Sequence, residues 1–181
     1  MRLFVAIALP GGLARSLAGL QARIPAGRAV PEEDLHLTLA FLGEVADREA
    51  EALHDALSGL RGAPVEVALD GLVALGGRVP TVLAAGVTAT AALEALRRRV
   101  LGAAHAAGLR PERGRFRPHV TLMRFGGRGP SPDEEARLAA FLAANGAVRP
   151  GAFVARSFGL YRSDAGRAGR IYRRLADYPL G

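Results

Sequence analysis

Two short segments of the same design contain the residues of this sequence best suited to acid–base chemistry. One is the His-Leu-Thr segment His36–Thr38, and the other is the His-Val-Thr segment His119–Thr121, about eighty residues later. The chain has 4 histidines and 5 threonines, so two such pairs arise by chance with a probability of about 0.005. The repetition therefore indicates a functional pair.

Two imidazoles that face one another suit the cleavage of a phosphodiester. A neutral ring takes a proton from the attacking water and a protonated ring gives one to the leaving oxygen; a pKa of about 6.5 allows both forms near neutral pH. The hydroxyls of Thr38 and Thr121 can donate hydrogen bonds to phosphate oxygens, and arginine can stabilise the developing charge. The scheme needs no cofactor and no metal. A zinc site would need a third ligand, for which the sequence offers no candidate.

The competing interpretation is that His36 and His119 are ordinary strand histidines with local hydrogen bonds. The other two histidines, His54 and His105, lie in helical patterns without a second chemical group at a suitable spacing. We therefore expect His54 and His105 to be structural or solvated.

Strand alternation determines where the two motifs point. Asp34–Leu42 and Pro118–Arg124 are predicted strands, and successive side chains of a strand point to opposite faces. The histidine and threonine of each motif therefore share one face, about 7 Å apart along the strand. The other residues of these strands form the opposite, apolar face: Leu35, Leu37, Leu39, Phe41, Val120 and Leu122.

The rest of the chain mixes strands and helices without a linker between them. The predicted strands are Arg2–Leu9, Val65–Leu75, Thr81–Val87, Phe153–Tyr161 and Arg170–Leu175. The predicted helices are Gly12–Ile24, Asp47–Leu60, Ala91–Ala107 and a segment from Ser131 to about Ala144, with Asp47 and Ser131 as N-caps. Each motif strand is followed by a helix. The pattern predicts an α+β fold in which residues 1–181 form a single domain with two lobes.

Composition limits the class of protein. Of the 181 residues, 50% are hydrophobic, which suffices for a sizeable core. No apolar stretch approaches the ~18 residues of a membrane span, and the first strand lacks the pattern of a signal peptide. We expect a cytoplasmic protein without membrane association. The lack of cysteine excludes disulfides and thiolate metal sites.

Positive charge is unevenly distributed along the chain. The net charge is +7, and every Lys or Arg position is arginine. Residues 97–128 contain nine arginines and one acid, Glu112, whereas residues 32–55 contain eight acids and one base, Arg48. A cation cluster of this kind is typical of a surface that binds polyanions. The alternative, a solvated helix face, suits Arg97–Arg99 better than the later arginines of the cluster: Arg110, Arg113, Arg115 and Arg117.

With their flanking residues, the two motifs resemble the RNA 2′,3′-cyclic phosphodiesterase branch of the 2H phosphoesterase superfamily, also called the 2′-5′ RNA ligases. The similar stretches are distributed over nearly the whole chain. They are Arg2–Ile7, Asp34–Gly43, Phe116–Arg124, Leu160–Ser163, Tyr172 and Tyr178–Leu180.

The resemblance implies a bilobal α+β fold, with two pseudo-symmetric antiparallel sheets and outer helices around a central cleft. It implies hydrolysis of RNA 2′,3′-cyclic phosphate ends, on tRNA fragments or oligonucleotides, to 2′-phosphomonoesters, and in some relatives a reversible 2′-5′ ligation. It further implies that His36 donates a proton, that His119 accepts one, and that Thr38 and Thr121 hold the phosphate. We expect a monomer.

Three further residues are candidates for substrate binding. Arg124 matches a family arginine five residues after the second histidine. Strict alternation would turn it away from His119, so the strand should bulge or end before it. Arg117 lies two residues before His119 and therefore shares its face of the strand, which makes Arg117 the other candidate to bind the phosphate. Phe41 takes the place of Arg124 in the first repeat, where it would stack on the nucleobase or pack in the core.

The sequence departs from the family at Ala29 and Ala84, where many relatives have an aromatic residue, and this bears on substrate preference. Other possible substrates are an ADP-ribose cyclic phosphate and a nucleoside 2′,3′-cyclic phosphate. A non-catalytic RNA-binding module is the alternative from another class, and its signature would be loss of a motif residue; all four are present. A purely structural domain would leave the paired motifs and the uneven charge unexplained.

Overall fold

The computed structural model of the protein describes residues 1–77, 79–111, 114–127, 129–166 and 169–181. Predictions made for Glu112, Arg113 and Arg128 lie outside the described residues.

Strands and helices alternate along the chain. The strands are β1 (Arg2–Ala8), β2 (Arg28–Ala29), β3 (His36–Glu44), β4 (Val65–Gly76), β5 (Pro80–Val87), β6 (His119–Arg124), β7 (Ala152–Ala155), β8 (Ser157–Gly166) and β9 (Gly169–Pro179). The helices are α1 (Gly11–Gln21), α2 (Asp47–Ser58), α3 (Ala91–Ala106) and α4 (Pro132–Asn145). Within the described residues, no helix has the length and apolar character required to cross a membrane.

Most predicted elements are confirmed within a few residues. The predicted strand Phe153–Tyr161 is wrong as one element, because β7 pairs with β4 whereas β8 pairs with β1 on the other side of the sheet. Strand β2 has no counterpart in the sequence prediction, since two residues give too little alternation to detect. Strand β3 begins at His36 rather than Asp34, because Glu32–Asp34 form a 3-10 turn.

In the described residues, the strands form a sheet that is symmetric about its centre. Its order is β7-β4-β5-β6-β3-β1-β8-β9, with β2 paired to β6, and the neighbouring strands are antiparallel. The two halves, β7-β4-β5-β6 and β3-β1-β8-β9, meet where Leu37 pairs with Val120. This confirms the α+β fold with two pseudo-symmetric antiparallel halves, which are here continuous across the centre.

The core anchors the two central strands from their apolar side. Leu37 and Val120 are fully buried, in one cluster with Leu93 and Val100 of α3. Helix α3 packs on β3 and β4, and α2 packs on α3. Burial of each such side chain contributes roughly 1.5–3 kcal/mol. The motif residues on the other side of β3 and β6 are thus held by strands that the core fixes in place.

Of the two N-caps that the sequence predicts, Ser131 is confirmed and Asp47 is wrong. As predicted, Ser131 caps α4: its backbone N–H donates to the Glu134 carboxylate at 2.8 Å, and its hydroxyl accepts from the Glu134 backbone N–H at 3.4 Å. The prediction that Asp47 caps α2 is wrong, because Asp47 is already the first helical residue. The cap position is Ala46, whose backbone N–H donates to the Glu49 carboxylate at 3.0 Å.

Candidate active site

A cleft of about 550 Å³ opens where the two halves of the sheet meet, and both motifs line it. The antiparallel pairing of Leu37 with Val120 puts the two His-x-Thr segments side by side and in opposite directions. His36 therefore lies beside Thr121, and Thr38 lies beside His119. The structure thus brings together the four residues that the sequence singled out.

Each motif histidine is oriented by its own backbone. The Nδ1 atom of His36 lies 2.6 Å from the carbonyl oxygen of Asp34, and Nδ1 of His119 lies 2.7 Å from the carbonyl oxygen of Arg117. A carbonyl oxygen only accepts, so Nδ1 carries a proton in both rings. The remaining ring nitrogen, Nε2, is left to exchange a proton with a ligand.

A β-bulge follows each motif at the same position. Opposite β1, Thr38 pairs with Ala6 and Ala40 pairs with Val5, so Leu39 is an extra residue. Opposite β5, the same shift occurs between the pairs formed by Thr121 and Met123. A bulge reverses the alternation of the residues beyond it, so the fifth residue after each histidine turns back to the cleft face.

The two fifth residues are Phe41 and Arg124, and both line the cleft. The bulge expected before Arg124 is confirmed. The prediction that Phe41 lies on the apolar face is wrong, because the bulge at Leu39 turns its ring outward, where it is 53% exposed. Sequence alternation alone could not show this, since the extra residue is visible only in the pairing with β1.

Arg124 and Arg117, the two candidates for the phosphate, occupy different places. Arg124 lines the cleft with all four motif residues, and its Nη2 atom donates to the Tyr172 hydroxyl at 3.4 Å. Arg117 is exposed and lines a neighbouring cavity that borders His119. A guanidinium that shares the cleft with the imidazoles can stabilise negative charge there, which favours Arg124.

Aromatic side chains enclose His36. Its ring centre lies 4.9 Å from that of Phe4, 5.3 Å from that of Tyr172 and 6.3 Å from that of Tyr161. Phe4 and Tyr161 stack at 5.2 Å. Gly159 leaves room for this arrangement, because a Cβ there would lie 2.9 Å from the Tyr161 ring. These aromatic residues come from β1, β8 and β9, which the sequence could not place beside β3.

Burial dominates the electrostatics at this end of the cleft. Burial above all, together with the charges of Arg124 and His119, lowers the pKa of His36 to about 4, although the hydrogen bond to the Asp34 carbonyl acts to raise it. Burial, reinforced by Glu33, also raises the pKa of the Asp34 carboxyl. In the unliganded protein His36 is therefore neutral at pH 7, with its lone pair on Nε2.

Arg2, Arg170 and Ser163 also line the cleft and were not predicted as site residues. Arg2 had a local signal, since it alternates with the buried Leu3 in the first strand. The local sequence around Arg170 and Ser163 did not indicate a place in the cleft, because these residues reach it only through the pairing of β8 with β9.

The two remaining histidines do not line the cleft, and the two positions that depart from the family pattern, Ala29 and Ala84, lie in different places. The Nδ1 atom of His54 lies 3.0 Å from the Tyr178 hydroxyl, which agrees with a structural role, and His105 is exposed on α3. Ala84 is fully buried beside Thr121, whereas Ala29 lies in β2 at the edge of another cavity. Across the described part of the chain, no three His, Asp or Glu side chains gather as a metal-binding group.

The chain is similar in sequence to a family of known proteins. The model of the 2′-5′ RNA ligase superfamily matches residues 10–167. The RNA 2′,3′-cyclic phosphodiesterase of Geobacillus stearothermophilus is 32% identical over 184 residues, and the match covers 98% of this chain and 56% of that protein. The protein of the same name from Aeropyrum pernix is 33% identical over 150 residues, covering 82% of this chain and 83% of that one.

A solved structure shows the same fold. The crystal structure of E. coli LigT complexed with 3′-AMP superposes with a TM-score of 0.74 at 26% identity, covering 99% of this chain and 96% of that one. The present chain spans little more than half the length of the Geobacillus relative, 56%. The match to the family model covers most of the chain, and the chain therefore belongs to the 2′-5′ RNA ligase superfamily.

Proposed function

We propose that this protein hydrolyses RNA 2′,3′-cyclic phosphate ends to 2′-phosphomonoesters, with His36 and His119 as the general acid and the general base. The observation that carries the proposal is the pair of imidazoles on one cleft, each with Nδ1 held by a backbone carbonyl and Nε2 left for chemistry. The two relatives named RNA 2′,3′-cyclic phosphodiesterase support the choice of substrate.

The reaction needs two proton transfers on opposite sides of phosphorus. Neutral His119 accepts a proton from water through Nε2 as the water oxygen bonds to phosphorus. The bond from phosphorus to O3′ breaks, and protonated His36 gives its Nε2 proton to O3′. The product keeps the phosphate on O2′, and each transfer contributes roughly 10²–10⁴-fold to the rate.

The negative charge of the substrate favours the protonated form of His36, which is the form that can donate a proton to O3′. Protonating a group of pKa about 4 at pH 7 costs about 4 kcal/mol. An anionic phosphate a few ångströms away favours the imidazolium form and offsets this cost. Thr38 and Thr121 donate hydrogen bonds to the non-bridging oxygens, and Arg124 stabilises the added charge of the transition state.

The terminal nucleoside is held at the His119 end of the cleft. Phe41 offers an exposed ring beside the motif residues, and Arg117 lines the adjoining cavity with Phe41. A nucleobase that stacks on Phe41 gains about 1–3 kcal/mol, and the Arg117 guanidinium can cover its other face. Neither contact reads a particular base, so we expect little preference among the four.

We further propose that residues 1–181 act as one two-lobed domain, as a monomer in the cytoplasm. Both histidines, both threonines and Arg124 of one chain line the same cleft, so the proposed chemistry does not need a second copy. A 5′-hydroxyl that takes the place of water would bond to the same phosphorus as O3′ leaves, which joins the two ends through a 2′-5′ phosphodiester, the ligation that the family description names. By microscopic reversibility, the same two imidazoles would also catalyse the cleavage of that 2′-5′ bond.

The test is to incubate the purified protein with a short RNA that ends in a 2′,3′-cyclic phosphate, in the presence of EDTA. Mass spectrometry should show the addition of one water. The product should lose its phosphate to a phosphomonoesterase. After digestion to nucleotides, its terminal nucleotide should co-elute with an authentic nucleoside 2′-phosphate and not with the 3′-phosphate. A 3′-phosphate product would overturn the assignment of O3′ as the leaving group. Activity that EDTA abolishes and a divalent metal restores would overturn the two-imidazole mechanism.

A further inference from the structure

A second cavity, which we call the basic furrow, opens beside the candidate active site. It has a volume of about 340 Å³ and lies between β3 and the segment that leads from α3 to β6. Its walls combine three arginines with two aromatic rings: Arg97, Arg115, Arg117, Phe41 and Phe116. Among the described residues that line it, none is acidic. Such a surface suits an anion that also carries flat, apolar groups.

Arg97 is the most firmly held cation of the basic furrow. Its guanidinium carbon lies 4.7 Å from the centre of the Phe116 ring, in a cation–π contact. Its Nε atom is buried without a hydrogen-bond partner among the described residues, and no described carboxylate forms a salt bridge with it. The positive charge of Arg97 is therefore uncompensated within the described structure.

Arg98, the next residue of α3, shows what an ordinary surface arginine looks like here. Its side chain is 68% exposed and it forms a salt bridge of 4.0 Å with Glu94. The alternative that Arg97–Arg99 form a solvated helix face therefore does not hold for Arg97, which turns toward Phe116 and the basic furrow. The two neighbours provide a matched pair for experiment.

The basic furrow continues the cleft. The two cavities share Thr38, Phe41 and His119 in their walls. An RNA end whose phosphate lies between the imidazoles can therefore pass over Phe41 and remain on a positively charged surface.

The cavity on the other side of the cleft is less suited to a chain of phosphates. It is lined by Arg28, Arg124 and Arg170, but also by Glu33 and Asp34. A carboxylate repels an RNA phosphate that lies beside it, so the charges of the two cavities favour the basic furrow as the place where the RNA chain continues.

We propose that the basic furrow binds the nucleotide directly upstream of the one that carries the cyclic phosphate. Arg97 and Arg115 contact the phosphate that joins these two nucleotides. The protein then prefers oligonucleotide ends over mononucleotide cyclic phosphates. This specificity rests on the proposed function, because it concerns the substrate of that same site.

The test compares a nucleoside 2′,3′-cyclic phosphate with a dinucleotide that ends in the same cyclic nucleotide. We expect the wild type to show a kcat/KM at least about tenfold higher for the dinucleotide, as one added charge-assisted contact allows. Arg97→Gln should reduce this ratio about tenfold, and Arg98→Gln should leave both substrates unchanged. An unaltered ratio in Arg97→Gln, or an equal loss in both arginine variants, overturns the proposal.

Binding gives a readout that does not depend on turnover. For a short RNA with a 2′-phosphate end, fluorescence anisotropy at several salt concentrations gives the dependence of log Kd on log salt. Arg97→Gln removes one phosphate contact and should reduce the magnitude of this slope by about 0.7. Arg98→Gln should leave the slope unchanged. If the wild type cleaves neither substrate yet binds RNA through Arg97, the proposed reaction fails and the basic furrow stands. If Arg97→Gln binds RNA as the wild type does, with the same slope, the basic furrow fails.

Discussion

The two ends of the cleft share a backbone design and differ in what surrounds the imidazole. At both ends, Nδ1 of the histidine meets the carbonyl of the residue two positions earlier, and a β-bulge begins three residues after the histidine. At the first end, the ring of His36 is enclosed by Phe4, Tyr161 and Tyr172. At the second end, His119 borders the open basic furrow.

This difference shows how a duplicated backbone can hold two different acid–base groups. The symmetric part of the structure aims two Nε2 atoms into one cleft. The asymmetric part lowers the proton affinity of His36, because burial, with the Arg124 charge, lowers the pKa of this ring to about 4. His36 is therefore neutral without a ligand, and its role as the acid depends on the anionic phosphate, which favours the imidazolium form.

The largest expected effect is the loss of either motif histidine. His36→Ala and His119→Ala should each lower kcat by about 10³-fold, since each removes one proton transfer. Thermal unfolding should show that both variants still fold, because both rings line the cleft and neither belongs to the apolar core cluster. His105→Ala, at an exposed position of α3, is the control and should keep full activity. A motif variant with near wild-type turnover contradicts the two-imidazole mechanism.

A substrate with sulfur in place of O3′ separates the two roles. A thiolate leaves without a proton, so this substrate should restore most of the activity of His36→Ala and little of that of His119→Ala. The reverse result would exchange the roles, with neutral His36 as the base.

The fifth residues after the two histidines give the next largest effect. Arg124→Gln should lower kcat/KM about 10²-fold, as expected for the loss of one group that stabilises transition-state charge. Phe41→Ala should lower it only about tenfold, through lost base stacking. NMR titration of His36 should show a higher pKa in Arg124→Gln, because the Arg124 charge lowers it in the wild type. Equal losses in both variants would contradict the proposal that Arg124 contacts the phosphate and that Phe41 stacks on the nucleobase.

Local patterns in the sequence were sufficient for the parts of the site that local geometry determines. Alternation predicted that His36 and Thr38 share a face, and the repeat predicted that the second motif does the same. The α+β fold followed from the same alternation, together with the helices after each motif strand. These features depend on residues that are close together in the chain.

Features that depend on pairing between distant strands could not be predicted. The bulge at Leu39 exists only relative to β1, so the sequence could not decide whether Phe41 stacks on a nucleobase or packs in the core. The aromatic enclosure of His36 joins β1, β8 and β9, for which the sequence gives no register. The different directions of Arg97 and Arg98 depend on where Phe116 lies, outside the helix that carries both arginines.

The smallest expected effect concerns stability and tests the enclosure of His36 without any substrate. The folded-state pKa of about 4 lies below the value of about 6.5 in an unfolded chain. Between these values the unfolded state binds the extra proton, so the free energy of unfolding falls as the pH is lowered from 6.5 to 4. Between pH 7 and pH 4.5 the loss from this one group should be about 2 kcal/mol.

His36→Gln cannot take up that proton, so urea unfolding at pH 7 and pH 4.5 should show a smaller loss in His36→Gln than in the wild type. His105→Gln should lose as much as the wild type, since His105 is exposed. If His36→Gln and the wild type lost stability equally, the imidazole would be as easily protonated in the fold as in water. The aromatic enclosure would then not distinguish the two ends of the cleft, and His36 would depend much less on the bound phosphate to hold the proton that it donates.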